Sequence, residues 1–152
     1  AADAAATFER YATERACERL VYRFLHYLEG EHSKTAALLT EDAEVFNFVG
    51  REQVREELKR IESIDQNVNV LLSTNLSIDI QDENHAKATN YVTHYAASAA
   101  ELPELTTAKT ITWWSWEFRR VDGEWLISRV SYPESRLLRK DVIEAIEENS
   151  EE

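Results

Sequence analysis

Cysteine occurs once, at Cys17, which forbids an internal disulfide and a cysteine-built zinc site. Glycine (3) and proline (2) are scarce, excluding collagen-like, low-complexity and linker-rich chains. Basic residues are in the minority: 17 Lys and Arg stand against 29 Asp and Glu, a formal net charge of −12. With no basic stripe to release counterions, the chain is not built for nucleic acid or an anionic membrane surface. No apolar run approaches the roughly 18 residues of a membrane-spanning helix. The N-terminal AADAAATFERYATERACERL also lacks the basic-then-apolar pattern of a secretory leader, so a cytoplasmic location is expected. Phosphate-cradling glycine loops, HExxH and GxSxG are all missing.

What is present is an ordinary globular balance. The 152 residues, 43% hydrophobic and 30% charged, suit one domain over 1–152 with a core of about 8–135. The acidity is concentrated at the end. Residues 141–152 (DVIEAIEENSEE) hold six carboxylates and no Lys or Arg, so they read as a solvated tail and leave the body moderately acidic.

Hydrophobic periodicity divides the chain. Helical spacing runs from Phe8 to Leu28, with Cys17, Leu20, Val21, Phe24, Leu25 and Leu28 on one stripe and Gly30 as a stop. Cys17 on that stripe is expected to be an inert core thiol. Ser33 can cap a short second helix, Glu44–Val49 (EVFNFV) reads as one short strand, and REQVREELKRI places Val54, Leu58 and Ile61 on a third helix. From Asn67 the period becomes two. Val68/Val70/Leu72 and Leu76/Ile78/Ile80 alternate around a Ser73-Thr74 break, followed by strands over His85–Ala97, Thr107–Arg120 and Glu124–Tyr132. A loop over 98–106, a hairpin turn at Asp122-Gly123 and a terminal helix from Leu137 to Glu148 complete the expectation. This order predicts an α+β fold: a cone-shaped, curved antiparallel sheet with helices packed on its concave face. The hollow of the cone is the expected ligand site.

Three stretches carry a resemblance: EGEHSKTAALLTEDAEVF (29–46), TNLSIDIQDENHAKATNYVTHY (74–95) and WEFRRVDGEWLISRV (116–130). They resemble the SnoaL-like branch of the nuclear transport factor 2-like superfamily, over about residues 10 to 135. The resemblance implies a pocket for a small hydrophobic molecule and a cofactor-free lyase or isomerase, dehydratase- or cyclase-like, working by proton transfer. The alternative it implies is a non-catalytic ligand-binding or structural subunit, similar to the small subunit of ring-hydroxylating dioxygenases. Active dehydratases of the branch pair an Asp at the end of the first helix with a His on the first long strand. Here those positions fall on Leu28, or Glu29 with a one-residue gap, and at or beside Leu71 and Leu72. The acids of isomerase-like members fall on Asn47 and Trp116.

The polar and aromatic residues that remain supply the candidates. His94 shares a strand face with Ala86, Ala88, Asn90 and Val92 and is the candidate base, with Glu29 as its carboxylate partner. Asn47 and Asn90 are candidates to orient a carbonyl or hydroxyl, and Tyr22 or Tyr27 to donate a hydrogen bond. Trp114 and Trp116 are assigned to the pocket side. Ile111 and Trp113 then lie on the outer face, where relatives pack sheet against sheet, so a homodimer or homotrimer is expected. Glu29-Gly30-Glu31-His32 has the Glu-x-x-His spacing of carboxylate-bridged metal sites, but as a single copy interrupted by glycine. Neither metal nor cofactor is expected.

Overall fold

The structure, a computed structural model, describes residues 1–98, 100 and 108–138, the last six as backbone only. Helix α1 (Ala2–Leu28) leads into a 3-10 helix (His32–Leu38), strands β1 (Leu39–Val45) and β2 (Phe48–Val49), and helix α2 (Arg51–Ile64). Four long strands follow: β3 (Asn67–Asp82), β4 (His85–Ser98), β5 (Thr110–Val121) and β6 (Glu124–Leu138). They join one sheet in the order β2-β1-β6-β5-β4-β3. The expected α+β architecture is present, with helices against the inner face of a curved, unclosed sheet. One pairing departs from antiparallel: β1 runs parallel to β6.

The core forms where α1 crosses the sheet. Cys17, Val21, Phe24 and Leu25 are buried with Ala86, Ala88 and Val92 of β4 and Trp116 and Phe118 of β5. Phe24 meets Trp116 edge to face at 5.3 Å. Burial pushes the Cys17 thiol up to about 12. It is an inert packing group, as expected.

Several local expectations are corrected. The segment after Gly30 is a 3-10 helix that begins at His32, and Ser33 does not cap it; the Ser33 N–H instead donates to Glu62 of α2 at 3.2 Å. EVFNFV is not one strand. It breaks at Phe46, whose φ of 56° turns the chain and separates β1 from β2. The break in β3 falls one residue beyond Ser73-Thr74, at Asn75 with φ 54°, where the register with β4 shifts. That bulge swaps the faces. Val68, Val70 and Leu72 are outside, 46%, 40% and 48% exposed, whereas Leu76 and Ile78 pack against the core. At the β5–β6 hairpin Asp122 (φ 51°) and Gly123 (φ 81°) adopt the left-handed pair that such a two-residue turn requires. Leu137 and Leu138 belong to β6 rather than to a terminal helix. The remainder of that expected helix, the acidic tail, and most of the 98–106 loop lie outside the described residues. No helix among the described residues is long and apolar enough to cross a membrane.

Candidate functional site

Between the inner face of β3–β5, the end of α1, the face of α2 and the β1–β2 turn lies a cavity of about 470 Å³. Its walls are apolar: Leu28 from α1, Leu58 and Ile61 from α2, Phe46 and Phe48 from the turn, Leu71 and Trp114 from the sheet. Asn47 and Tyr132, both exposed, stand at its mouth. Phe46, held in a left-handed backbone uncommon for an aromatic residue, packs 5.4 Å from Trp114 and 4.6 Å from Tyr132. Trp114 keeps its indole N–H on Thr112 Oγ1 at 2.7 Å, so it lines the cavity with its one polar atom already satisfied.

The polar end is built on four residues: His94, Asn69, Asp65 and His32. Asp65 ends α2, and its Oδ1 accepts the Asn67 backbone N–H at 3.0 Å, an Asx turn that starts β3. Its Oδ2 accepts from Asn69 Nδ2 at 2.6 Å. That bond fixes the amide, so Asn69 Oδ1 faces His94 Nε2 at 2.9 Å as an acceptor. His94 therefore carries its proton on Nε2, and Nδ1 keeps a lone pair with no hydrogen-bond partner among the described residues. Burial, followed by the charge of Lys109, lowers the His94 pKa from the usual imidazole value, and Asp65 opposes the shift. A half-buried, neutral imidazole, oriented through an amide by a carboxylate, is a preorganised base. Among the described residues no group of three or more His, Cys, Asp or Glu is placed to hold a metal ion.

The sequence candidates separate clearly. His94, Asn47 and Trp114 line the cavity; Glu29, Tyr22, Tyr27, Asn90 and Trp116 do not. Glu29 cannot partner His94, because one residue past buried Leu28 the helix has turned it away from the cavity. Its carboxylate accepts the Leu71 N–H of the sheet-edge strand at 3.2 Å and lies 3.4 Å from His26 Nδ1. Tyr22 is exposed on an open groove beside Leu72 and Ser73, and Tyr27 packs partly buried against the core. Asn90 is fully buried and satisfied: it donates to Ser73 Oγ and accepts from Trp116 Nε1, each at 2.8 Å. Trp116, 1% exposed, lies in the core beneath Trp114. Periodicity did not single out Asp65, Asn69 or the cavity-facing role of His32. Leu71, one of the two residues at or beside which the resemblance puts the family's histidine, is the register partner of His94.

A family model described as the SnoaL-like domain matches residues 9–131. The chain belongs to this family. Among solved structures, this SnoaL-like protein is similar to one from Novosphingobium aromaticivorans named after scytalone dehydratase (23% identity, TM-score 0.69, covering 88% of this chain and 90% of that one). It is also similar to a hexachlorocyclohexane dehydrochlorinase of Novosphingobium barchaimii (15%, TM-score 0.72, 88% and 92%). A third is a Catenulispora acidiphila protein in complex with S-DNPA (18%, TM-score 0.66, 80% and 94%). At these identities the shared property is the fold. No curated protein sequence matches the chain.

Proposed function

We propose that this SnoaL-like chain, as one domain, is a cofactor-free lyase or isomerase that binds a small hydrophobic molecule and moves a proton with His94. The observation that carries this is the relay from His94 through Asn69 to Asp65 at the polar end of an otherwise apolar cavity. His94 Nδ1 takes a proton from carbon, Trp114 and Phe46 hold the apolar body, and Asn47 orients a polar group at the mouth. Lyase chemistry is supported further by the dehydratase and dehydrochlorinase names among proteins of the same fold. The S-DNPA complex of a third supports small-molecule binding. We also propose that the protein acts in the cytoplasm, where an unpaired, buried Cys17 is at home.

The test is turnover of small 3-hydroxy ketones and β,γ-unsaturated ketones, followed by the absorbance of the conjugated enone. Wild-type turnover that falls at least about 100-fold in His94→Gln supports the proposal. Turnover unchanged in that variant removes His94 from the mechanism. Binding without turnover of any member favours the non-catalytic alternative, which would also fit the lack of the family's Asp and His at Leu28 or Glu29 and at or beside Leu71 and Leu72.

A further inference from the structure

A second imidazole in the cavity wall has neither ring nitrogen hydrogen-bonded among the described residues. His32, 8% exposed, leads the 3-10 helix and lines the cavity. Its Nδ1 is buried without a partner, and its Nε2 stops 4.0 Å from Asp65 Oδ2, beyond hydrogen-bond length. A histidine kept for structure is normally satisfied, because a buried polar atom without a partner is costly. The backbone beneath it is nevertheless pinned. Thr35 Oγ1 donates to the His32 carbonyl at 2.8 Å, and the Ser33 N–H to Glu62 ties the turn to α2. With Nδ1 sealed inside the protein, Nε2 is the ring nitrogen left to meet a ligand in the cavity, and it sits on a seat that is already rigid.

Asp65 sets what His32 offers. An anionic oxygen favours a proton on the nitrogen that faces it, so Nε2 is the donor. At 4.0 Å the carboxylate biases the tautomer without consuming the hydrogen bond. Asp65 thus serves both histidines: His94 through Asn69, and His32 through space.

We propose that His32 touches the substrate, its Nε2–H donating to a substrate oxygen, so that the substrate class is small apolar molecules carrying a carbonyl or hydroxyl oxygen beside the proton that His94 removes. The proposal rests on the cavity being the ligand site. In the step it serves, the carbon-bound proton passes to His94 Nδ1 and the C–H electron pair forms a carbon–carbon double bond. The carbonyl π pair moves onto oxygen, where His32 Nε2–H holds the developing charge. A substrate without oxygen would leave His32 Nε2 unpaired.

Two probes of nearly equal shape test this: 2-naphthol and 2-methylnaphthalene, with binding followed by tryptophan fluorescence at pH 7. Wild type is expected to bind the naphthol about tenfold more tightly, one hydrogen bond's worth. His32→Phe should erase that preference, and His32→Gln should restore part of it. Ring ¹⁵N NMR of the wild-type protein gives a second readout that needs no variant. The His32 signals should shift with the naphthol and not with its methyl analogue. A preference that survives in His32→Phe, or His32 signals that ignore the naphthol, overturns the proposal. Equal wild-type affinity for both probes overturns it too and leaves the cavity as the ligand site. Failure of both probes to bind overturns the cavity and the proposal together.

Discussion

An amide between a histidine and a carboxylate transmits orientation but only part of the charge. Asn69 holds the His94 ring and fixes its tautomer, while Asp65 stays one residue removed from the imidazole. The net effect on His94 is a lowered pKa, set first by burial and then by Lys109. The sign for stability follows. The unfolded chain takes up the proton first, near the ordinary value of 6.5, so the His94 contribution is complete above that pH and is lost as pH falls from there toward the folded value. His94→Gln should therefore lose less stability than wild type between pH 7.5 and 5.5 in urea unfolding. Asn90 illustrates the opposite role for an amide. Asn90→Leu strands the indole N–H of Trp116 in the core and should cost about 2 kcal/mol in urea unfolding. Both amides carry the same letter in the sequence. Which one faces the cavity depends on cross-strand partners 17 and 26 residues away for Asn90 and 25 for Asn69.

At the scale of elements, the long strands and both amphipathic helices were legible, because burial on one face imposes periods of 2 and 3.6 that survive in the sequence. The turns that aim the site were not. Phe46 and Asn75 take positive φ without being glycine, so EVFNFV read as one strand and the bulge in β3 moved by one residue. His94 and Trp114 reached the cavity because they lie on a face that alternation identifies. Glu29 missed it because a helix turns by about 100° per residue, and a one-residue alignment gap decides between cavity and edge strand. Asp65 and Asn69 gave no periodic signal at all, being polar residues at a helix-to-strand junction. The backbone at Gly50, φ 93° and ψ 134°, holds the start of α2 against β1 through its N–H to Ala43 O at 2.8 Å. Gly50→Ala should cost about 1–3 kcal/mol, read as a lower urea midpoint. Because α2 carries Leu58, Ile61 and Asp65, probe binding should weaken in the same variant.

For the whole molecule, the bulge in β3 leaves Val68, Val70 and Leu72 on the outer face of the sheet, the face that also carries Tyr91 and Trp113, whose rings lie 4.9 Å apart. An apolar outer face of this kind fits the homodimer or homotrimer expected from the sequence through Ile111 and Trp113. Trp113→Arg should then sediment as a monomer while wild type sediments as an oligomer; identical sedimentation would remove Trp113 from the interface. The net charge of −12 belongs to the surface and the acidic tail. The polar end of the cavity has His94 joined to Asp65 through Asn69, with His32 Nε2 4.0 Å from the same carboxylate. The most direct measurement of its central element is a long-range ¹H–¹⁵N NMR titration of His94. The expected result is an Nε2–H tautomer with a pKa below 6.5, and loss of that tautomer preference in Asn69→Leu. A proton on Nδ1, or a pKa at or above 6.5, would contradict His94 as the oriented neutral base of this site.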